Sequence, residues 1–373
     1  MANPIKKKRK ALLLSAGYGR GHHSAAQALA EELTRRGWQT RVADPCAETR
    51  PRLFRATQLF YHACVRHAPW VWGMVYEQID RANWAVLVRA PGIAPCMEAL
   101  RRRLRKERPQ LIICTYPLYA YMLDAFAREG QLCTPYAVVV TDALAICRPW
   151  LQTQAPLICL PDEHSYELVQ DRYALPAERI TAPGFPVRAA FSPGEKRPLP
   201  GPDGEGLRVV YGAYTTAARV RADVEAMLGA WPRMQLSVLA ANRCTGALQA
   251  LLGHCPAAHI YGAEQDPAPL LRRAHFYVGK AGASTLFEAY AAETPMLINY
   301  ALPGQEQGNL KLLELDAAGR YAASPAELVH TLAELLADGA AGWQRMHRAM
   351  QQAGRAGGAA RIADVLERRF FAP

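Results

Sequence analysis

The sequence lacks the features that would assign it to a class at once. No uninterrupted apolar run reaches the roughly 20 residues that cross a bilayer as a helix, although 50% of the 373 residues are hydrophobic. The basic run Lys6–Lys10 is not followed by the apolar core and cleavage site of a secretory signal. The nine cysteines form no C-x-x-C pair and no zinc-like spacing, which indicates reduced thiols and a cytoplasmic protein without a metal site.

A nucleic-acid-binding motif is also lacking, although the chain is basic. The net charge is +11, and lysines and arginines concentrate at 6–10, 35–55 and 101–106. Basic surfaces attract anionic lipid headgroups by about 1 kcal/mol for each Lys or Arg near the membrane. We therefore predict contact with an anionic membrane surface and no nucleic-acid partner.

Strand-like runs alternate with helical patterns along nearly the whole chain, which predicts parallel sheets with covering helices. The predicted strands are 11–16, 38–43, 110–114, 136–140, 157–160, 207–211, 235–240, 257–260, 275–279 and 295–300. Between the fifth and sixth lies a proline- and glycine-rich stretch from Pro183 that is typical of a linker. The pattern predicts an α/β protein with two doubly wound domains facing a cleft.

The most informative stretch covers residues 280–309. A small-residue turn with Gly282 leads to Ser284 and Thr285, which open a helix, and Glu288 follows one turn later. N–H groups at a helix start suit a phosphate, and a carboxylate there suits a ribose diol. Gln305, Glu306 and Asn309 lie at the next helix and offer donors and acceptors for sugar hydroxyls. This pattern indicates a nucleotide-sugar site; the alternative is an ordinary Ser-Thr N-cap.

A second glycine-rich turn follows the first predicted strand and contains Gly17, Gly19 and Gly21. With Asp44 about 20 residues on, it imitates the fingerprint of a dinucleotide-binding fold. His22 stands where the third glycine of that fingerprint belongs, which disfavours a nicotinamide-dependent oxidoreductase. At the crevice beyond the strand ends His22 would suit a general base, whereas the alternative is a surface histidine at a helix start.

Residues 53–76 interrupt the alternation with aromatic, aliphatic and scattered basic side chains. That mixture is typical of an interfacial helix or a lipid-binding flap. It fits equally well a helix pair packed over the first sheet with its aromatics in the core.

The motifs described above, with Thr141-Asp142 and Gly184-Phe-Pro186, occur in an order that resembles a known family. They are similar to those of the processive diacylglycerol glycosyltransferases and plant-type monogalactosyldiacylglycerol synthases. A more distant relative is the N-acetylglucosaminyltransferase of peptidoglycan synthesis. The resemblance spans about residues 11–320. Trp150 stands further from Asp142 than the tryptophan of the family motif, and one glycine remains in Tyr211–Thr216, where the family has a glycine-rich loop.

The resemblance implies the GT-B fold of two Rossmann-like domains, no metal or other cofactor, and an inverting transfer of a hexose from a UDP-sugar to a lipid such as diacylglycerol. It implies an acceptor domain at 1–190, a UDP-sugar domain at 191–350 and a returning helix at 351–373. The protein would act at the inner face of the cell membrane.

Residue by residue, the resemblance implies that His22 is the catalytic base or a group that positions the acceptor. It places Gly19, Gly21, Asp142 and Trp150 on the acceptor side and Gly282, Ser284 and Thr285 at the diphosphate. Glu288 would meet the ribose, Gln305 and Glu306 the sugar, with Asn309 nearby. Two other functions remain open: transfer to a non-lipid acceptor, and a catalytically idle protein that binds UDP-sugars as a regulator.

Overall fold

The computed structural model describes residues 8–18, 21–193, 197–201, 203–240, 245–262 and 264–372, apart from the side chain of Arg66. The chain forms two compact units. The first comprises the chain through His62, Met74–Arg188 and the chain from Gly357, and the second comprises Ala63–Gly73 and Ala189–Ala356. The units therefore differ from the predicted domain ranges at 63–73, which group with the second unit.

The first unit is built on a six-stranded parallel sheet of order β2-β1-β3-β4-β5-β6. Its strands are β1 Lys10–Leu14, β2 Gln39–Ala43, β3 Leu111–Cys114, β4 Tyr136–Val139, β5 Ile158–Cys159 and β6 Ile180–Thr181. β3 and β4 are buried at every position, since helices cover both faces of the sheet.

The helices of this part of the chain follow the predicted alternation. They are α1 Gly21–Arg35, α2 Pro45–Thr49, α3 Pro51–His67, α4 Pro69–Arg81, α5 Trp84–Leu87, α6 Ala94–Glu107, α7 Pro117–Arg128 and α8 Glu163–Tyr173. Short 3₁₀ turns occupy Arg148–Trp150, Ala177–Arg179 and Ala189–Phe191.

The second unit has its own six-stranded parallel sheet of order β12-β11-β10-β7-β8-β9. The strands are β7 Arg208–Ala213, β8 Gln235–Ala240, β9 Ala258–Tyr261, β10 Phe276–Lys280, β11 Met296–Tyr300 and β12 Gly319–Tyr321. The helices are α9 Ala217–Ala230, α10 Thr245–Leu252, α11 Ala268–Leu271, α12 Ala283–Ala291, α13 Gln307–Leu315 and α14 Pro325–Ala353. α14 is interrupted at 337–340, where the backbone leaves helical geometry.

The prediction of two doubly wound sheets is confirmed, and each of the ten predicted strands is present. β6 and β12 escaped the sequence analysis because they are edge strands of two and three residues. A strand that short has too few residues to show either a buried apolar run or an alternating pattern.

The last helix, α15 Gly358–Phe371, packs on α1 in the first unit. Arg36, directly after α1, donates to Asp364 at 2.6 Å, and Arg361 donates to the Pro183 carbonyl at 2.6 Å. Gly358 permits the close approach, because a Cβ atom there would stand 2.0 Å from the carbonyl oxygen of Phe185. The Gly-Phe-Pro motif thus serves as a docking point for α15.

The segment at 53–76 forms a helix pair, α3 and α4, with some of its apolar side chains buried and others exposed. Phe54, Tyr61 and Cys64 are buried as core residues. Other side chains point outward: seven of the ten exposed large apolar residues in the described ranges lie between 53 and 87. Those seven are Leu53, Leu59, Phe60, Trp70, Met74, Val86 and Leu87.

Both sheets reverse their strand order at one point. There the connections that follow two adjacent strands leave in opposite directions, and a crevice opens between them. In the first sheet the point lies between β1 and β3, and in the second between β7 and β10. Open α/β sheets bind ligands in the crevice at such a switch point. The two candidate sites follow β1 and β10.

Candidate active site

His22 lies in the first turn of α1, directly beyond the carboxyl end of β1. Its Nδ1 is 2.7 Å from Thr141 Oγ1, and its backbone carbonyl accepts a hydrogen bond from Thr115 Oγ1 at 3.0 Å. The ring packs edge-on against Tyr116, with centroids 5.2 Å apart, and near Trp150 at 5.9 Å. Three strand ends therefore hold this residue, which is half-buried rather than a surface histidine.

The enclosure of the imidazole determines its charge. Burial lowers the pKa of His22 from 6.5 to about 4, against a smaller opposing effect of a hydrogen bond with the Thr115 backbone. At neutral pH the ring is uncharged, and one of its nitrogens has a free electron pair. That is the protonation state a general base needs.

Asp142 and Trp150, two of the four predicted acceptor-side residues, contact one another. Asp142 is 8% exposed, and its Oδ2 accepts a hydrogen bond from the Trp150 indole at 2.6 Å. Burial raises the pKa of Asp142 from 3.8 to about 6, and the indole N–H opposes that rise. Although Trp150 follows Asp142 by eight positions, the chain between them places the indole within hydrogen-bond distance of the carboxylate.

The glycine turn before α1 differs from a dinucleotide site. Gly21 begins α1, while Gly19 lies outside the described residues. Asp44 caps α2 by accepting from the Ala47 N–H at 3.0 Å, and it also accepts from the Gly17 N–H and the Tyr119 hydroxyl. Since its oxygens bind protein donors, Asp44 is poorly placed to hold a ribose. The rival reading as a nicotinamide enzyme has no support here.

On the second sheet, the turn after β10 leads into α12 as the sequence predicted. Gly282 is the N-cap residue, and no side chain caps the helix, so the alternative of a Ser-Thr N-cap is wrong. Ser284 and Thr285 lie in the first turn and are half-buried. Because first-turn N–H groups have no partner within a helix, this end of α12 can bind an anion.

Asn309 connects α13 to the same turn by a hydrogen bond. It is 2% exposed, and its Nδ2 donates to the carbonyl of Ala281 at 2.6 Å. The contact ties α13 to the loop before α12. Glu288 is half-buried on α12, one turn beyond the Ser-Thr pair. The structure thus brings together the two polar clusters that the sequence separates by about 20 residues.

Glu306 is engaged by the protein itself. It is 3% exposed; Lys280 Nζ lies 2.5 Å from one of its oxygens and the N–H of Leu302 donates to the other at 3.0 Å. Gln305 accepts a hydrogen bond from the indole of Trp72 at 3.0 Å, within the second unit. Both residues predicted to meet the sugar are therefore held in position by neighbouring side chains.

Tyr277 is a residue at this site that the sequence analysis missed. Its hydroxyl is fully buried and has no hydrogen-bond partner in the described part of the chain. A Cβ atom on Gly212 would stand 2.4 Å from that hydroxyl and 2.8 Å from the ring of Tyr214. Gly212, the single glycine left in Tyr211–Thr216, thus lies near the end of β7, where its aromatic neighbours leave no room for a side chain. No motif signals Tyr277, because its apolar neighbours in β10 conceal it.

Neither a metal centre nor a membrane span appears in the described ranges. No group of three or more His, Cys, Asp or Glu residues there has the arrangement of a metal site. None of the helices is both long and apolar enough to cross a bilayer, as far as the described residues extend. The eight described cysteines are free thiols.

Comparison with known proteins agrees with these features. Residues 22–187 match the family model of monogalactosyldiacylglycerol (MGDG) synthase. The processive diacylglycerol beta-glucosyltransferase of Bacillus cytotoxicus is 24% identical over 374 residues, covering 96% of this chain and 93% of its own. The enzyme of the same name from Bacillus cereus is 23% identical and covers 88% and 86%.

Solved structures show the same fold. MurG of Acinetobacter baumannii superposes with a TM-score of 0.60 at 17% identity, covering 96% of this chain and 99% of its own. The glycotransferase of kitacinnamycin superposes with a TM-score of 0.61 at 15% identity, covering 97% and 99%. The resemblance and the GT-B fold predicted from the motifs are confirmed.

Proposed function

We propose that this protein is a glycosyltransferase that moves a hexose from a UDP-sugar to a lipid acceptor such as diacylglycerol. The observation that carries the proposal is an uncharged, enclosed His22 at the switch point of one sheet and an uncapped helix start at that of the other. The first suits an acceptor hydroxyl and the second a diphosphate. The names of the relatives supply the class of reaction.

The donor would bind at the start of α12. The N–H groups of its first turn and the hydroxyls of Ser284 and Thr285 would hold the diphosphate, with Gly282 allowing its close approach. Glu288 would accept from the ribose diol and Gln305 would contact the sugar, while Glu306, whose oxygens accept from Lys280 and the Leu302 N–H, would hold the start of α13 in place. This arrangement stabilises the leaving diphosphate by fixed dipoles rather than by a metal ion.

The transfer itself would proceed with inversion at the anomeric carbon. The acceptor oxygen attacks that carbon as its bond to the diphosphate breaks, and UDP leaves with the electron pair of that bond. The hydroxyl proton passes to the imidazole of His22, which is uncharged at neutral pH. Asp142 and Trp150 would shape the acceptor side. The unit built on the first sheet, to which α15 belongs, would bind the acceptor, and the unit built on the second sheet would bind the UDP-sugar.

A lipid acceptor is favoured over a soluble one by the exposed face of the helix pair. Leu59 and Phe60 of α3 are 64% and 52% exposed, and Arg52 and Arg55 are exposed on the same helix. Exposed apolar residues next to basic ones suit an anionic membrane surface. We infer peripheral binding at the inner face of the cell membrane.

The donor site is tested by calorimetric titration of UDP and of UDP-hexoses into the wild type and Glu288→Ala. Glu314→Ala, which removes an exposed carboxylate from α13, serves as the control. We expect binding by the wild type and the control, and a clear loss of affinity in Glu288→Ala. Equal affinities for all three proteins would refute the donor site.

The acceptor class is tested by UDP release in the presence of a UDP-hexose and vesicles of anionic phospholipid with diacylglycerol. The double variant Leu59→Ser/Phe60→Ser is expected to need more vesicle lipid for half-maximal rate. Leu315→Ser, which removes an exposed leucine from α13, is expected to match the wild type. A rate that does not depend on lipid would transfer the proposal to a soluble acceptor.

A further inference from the structure

The hydrogen bond between His22 and Thr141 has a direction that matters for the proposed chemistry. A neutral imidazole has one N–H, so one ring nitrogen donates and the other accepts. The Thr115 backbone, whose hydrogen bond opposes the fall in the pKa of His22, accepts from the same N–H as Thr141 if the other nitrogen is to stay free. A threonine hydroxyl can take either role. The separation of 2.7 Å between Nδ1 and Oγ1 is short enough for a firm hydrogen bond in either direction.

Only one of the two directions lets His22 act as a base through Nε2. If Thr141 donates to Nδ1, the proton of the ring lies on Nε2, and that nitrogen has no electron pair to offer. If Nδ1 donates to Thr141, Nε2 has a free pair, and the same hydrogen bond persists after Nε2 has taken up a proton.

The neighbouring carboxylate does not fulfil this role. Asp142 directs Oδ2 to the indole of Trp150 at 2.6 Å, and that indole packs near the imidazole. Thr141 is 3% exposed and follows β4, whose partner β3 leads to Thr115. A rigid sheet edge therefore positions the hydroxyl, and the packing of Tyr116 limits rotation of the ring.

We propose that Thr141 is a positioning residue that accepts the Nδ1 proton of His22 and thereby selects the tautomer whose Nε2 is free to receive a proton. This inference rests on the proposed role of His22 as the base. A buried carboxylate could accept the same proton, but the neutral hydroxyl of Thr141 does so without adding a charge to the site.

The tautomer is measured directly by long-range ¹H–¹⁵N correlation spectra of the ¹⁵N-labelled full chain, with the signals of His22 assigned by their loss in His22→Gln. We expect the shifts of a ring protonated at Nδ1 in the wild type and in Thr141→Ser. Thr141→Val has nearly the same shape and no hydroxyl, so we expect a mixture of tautomers.

Thr115→Val is the matched control, because it removes a hydroxyl that contacts the backbone of His22 and not the ring. We expect this variant to keep the wild-type tautomer. A wild-type ring protonated at Nε2, or an unchanged tautomer in Thr141→Val, would overturn the proposal. The wild-type spectrum, with His22 assigned through His22→Gln, decides the first of these points even if neither valine variant folds.

Kinetics give a second readout. We expect Thr141→Val to lower kcat by about 10- to 100-fold, less than most of the roughly 10²- to 10⁴-fold that a general base contributes, because the base is misoriented and not removed. KM should change less than about threefold, and Thr141→Ser should restore most of the rate. A loss confined to KM would overturn the positioning role. If instead His22→Gln keeps the wild-type rate, the proposed function of His22 fails while the spectra still report the tautomer.

Discussion

Replacement of Asp142 by asparagine tests the electrostatics of the acceptor side. Burial raises the pKa of this carboxyl from 3.8 to about 6 in the folded protein. The folded state therefore holds the proton more tightly than the unfolded chain. The stability associated with this group is fully present below about pH 4 and is lost as the pH rises through about 6.

The magnitude follows from the shift. One pKa unit corresponds to 1.36 kcal/mol, so a rise from 3.8 to about 6 destabilises the folded state by about 3 kcal/mol at neutral pH. Asparagine cannot ionise, and its amide oxygen still accepts from the Trp150 indole. The free energy of unfolding of Asp142→Asn, relative to that of the wild type, should thus rise by up to about 3 kcal/mol between pH 4 and pH 7.

The assay is urea unfolding at pH 4 to 8, followed by pulsed amide exchange in β3 and β4, which report the first unit alone. Asp171→Asn, at an exposed position on α8, corrects for the change in net charge. The difference in the free energy of unfolding between variant and wild type should grow with pH for Asp142→Asn and stay constant for Asp171→Asn. Parallel profiles for both variants would refute the buried, proton-retaining carboxyl.

Three further changes test other parts of the structure. Glu306→Leu leaves Lys280 and the Leu302 N–H without their carboxylate, so denaturant titration should show a loss of unfolding free energy of about 3–5 kcal/mol. A loss under about 1 kcal/mol would contradict the buried ion pair. Trp72→Phe removes the indole donor to Gln305. Calorimetry should then show UDP-hexose affinity reduced by up to about tenfold and UDP affinity retained. An equal loss for both ligands would place Gln305 away from the sugar. Gly358→Ala inserts a Cβ against Phe185 and should release α15 to limited proteolysis, whereas Gly229→Ala, with open space around it, should not, and equal resistance of both variants would contradict the close docking.

The fold was predictable because parallel strands covered on both faces must be apolar at every position. Leu12, Ile112 and Val138 come from three such runs, and all three are fully buried. The strands that the sequence did not reveal, β6 and β12, lie at sheet edges, where burial imposes no apolar run. Glycine turns after β1 and β10 also indicated the two candidate ligand sites, since such turns mark strand-to-helix connections that bind ligands.

The sequence by itself determined the two α/β sheets and the residue types at each site, whereas the strand order that sets the switch points came from the structure. Only the tertiary structure decided the partners: Thr141 with His22 across 119 positions, Trp72 with Gln305 across 233, and Trp150 with Asp142. It also decided that Glu306 is buried with Lys280, and that the outward side chains of α3 and α4 are exposed. The physical reason is that periodicity reports which face of an element is buried, whereas hydrogen bonds, ion pairs and shifted pKa values depend on atoms that distant parts of the chain bring within a few ångströms.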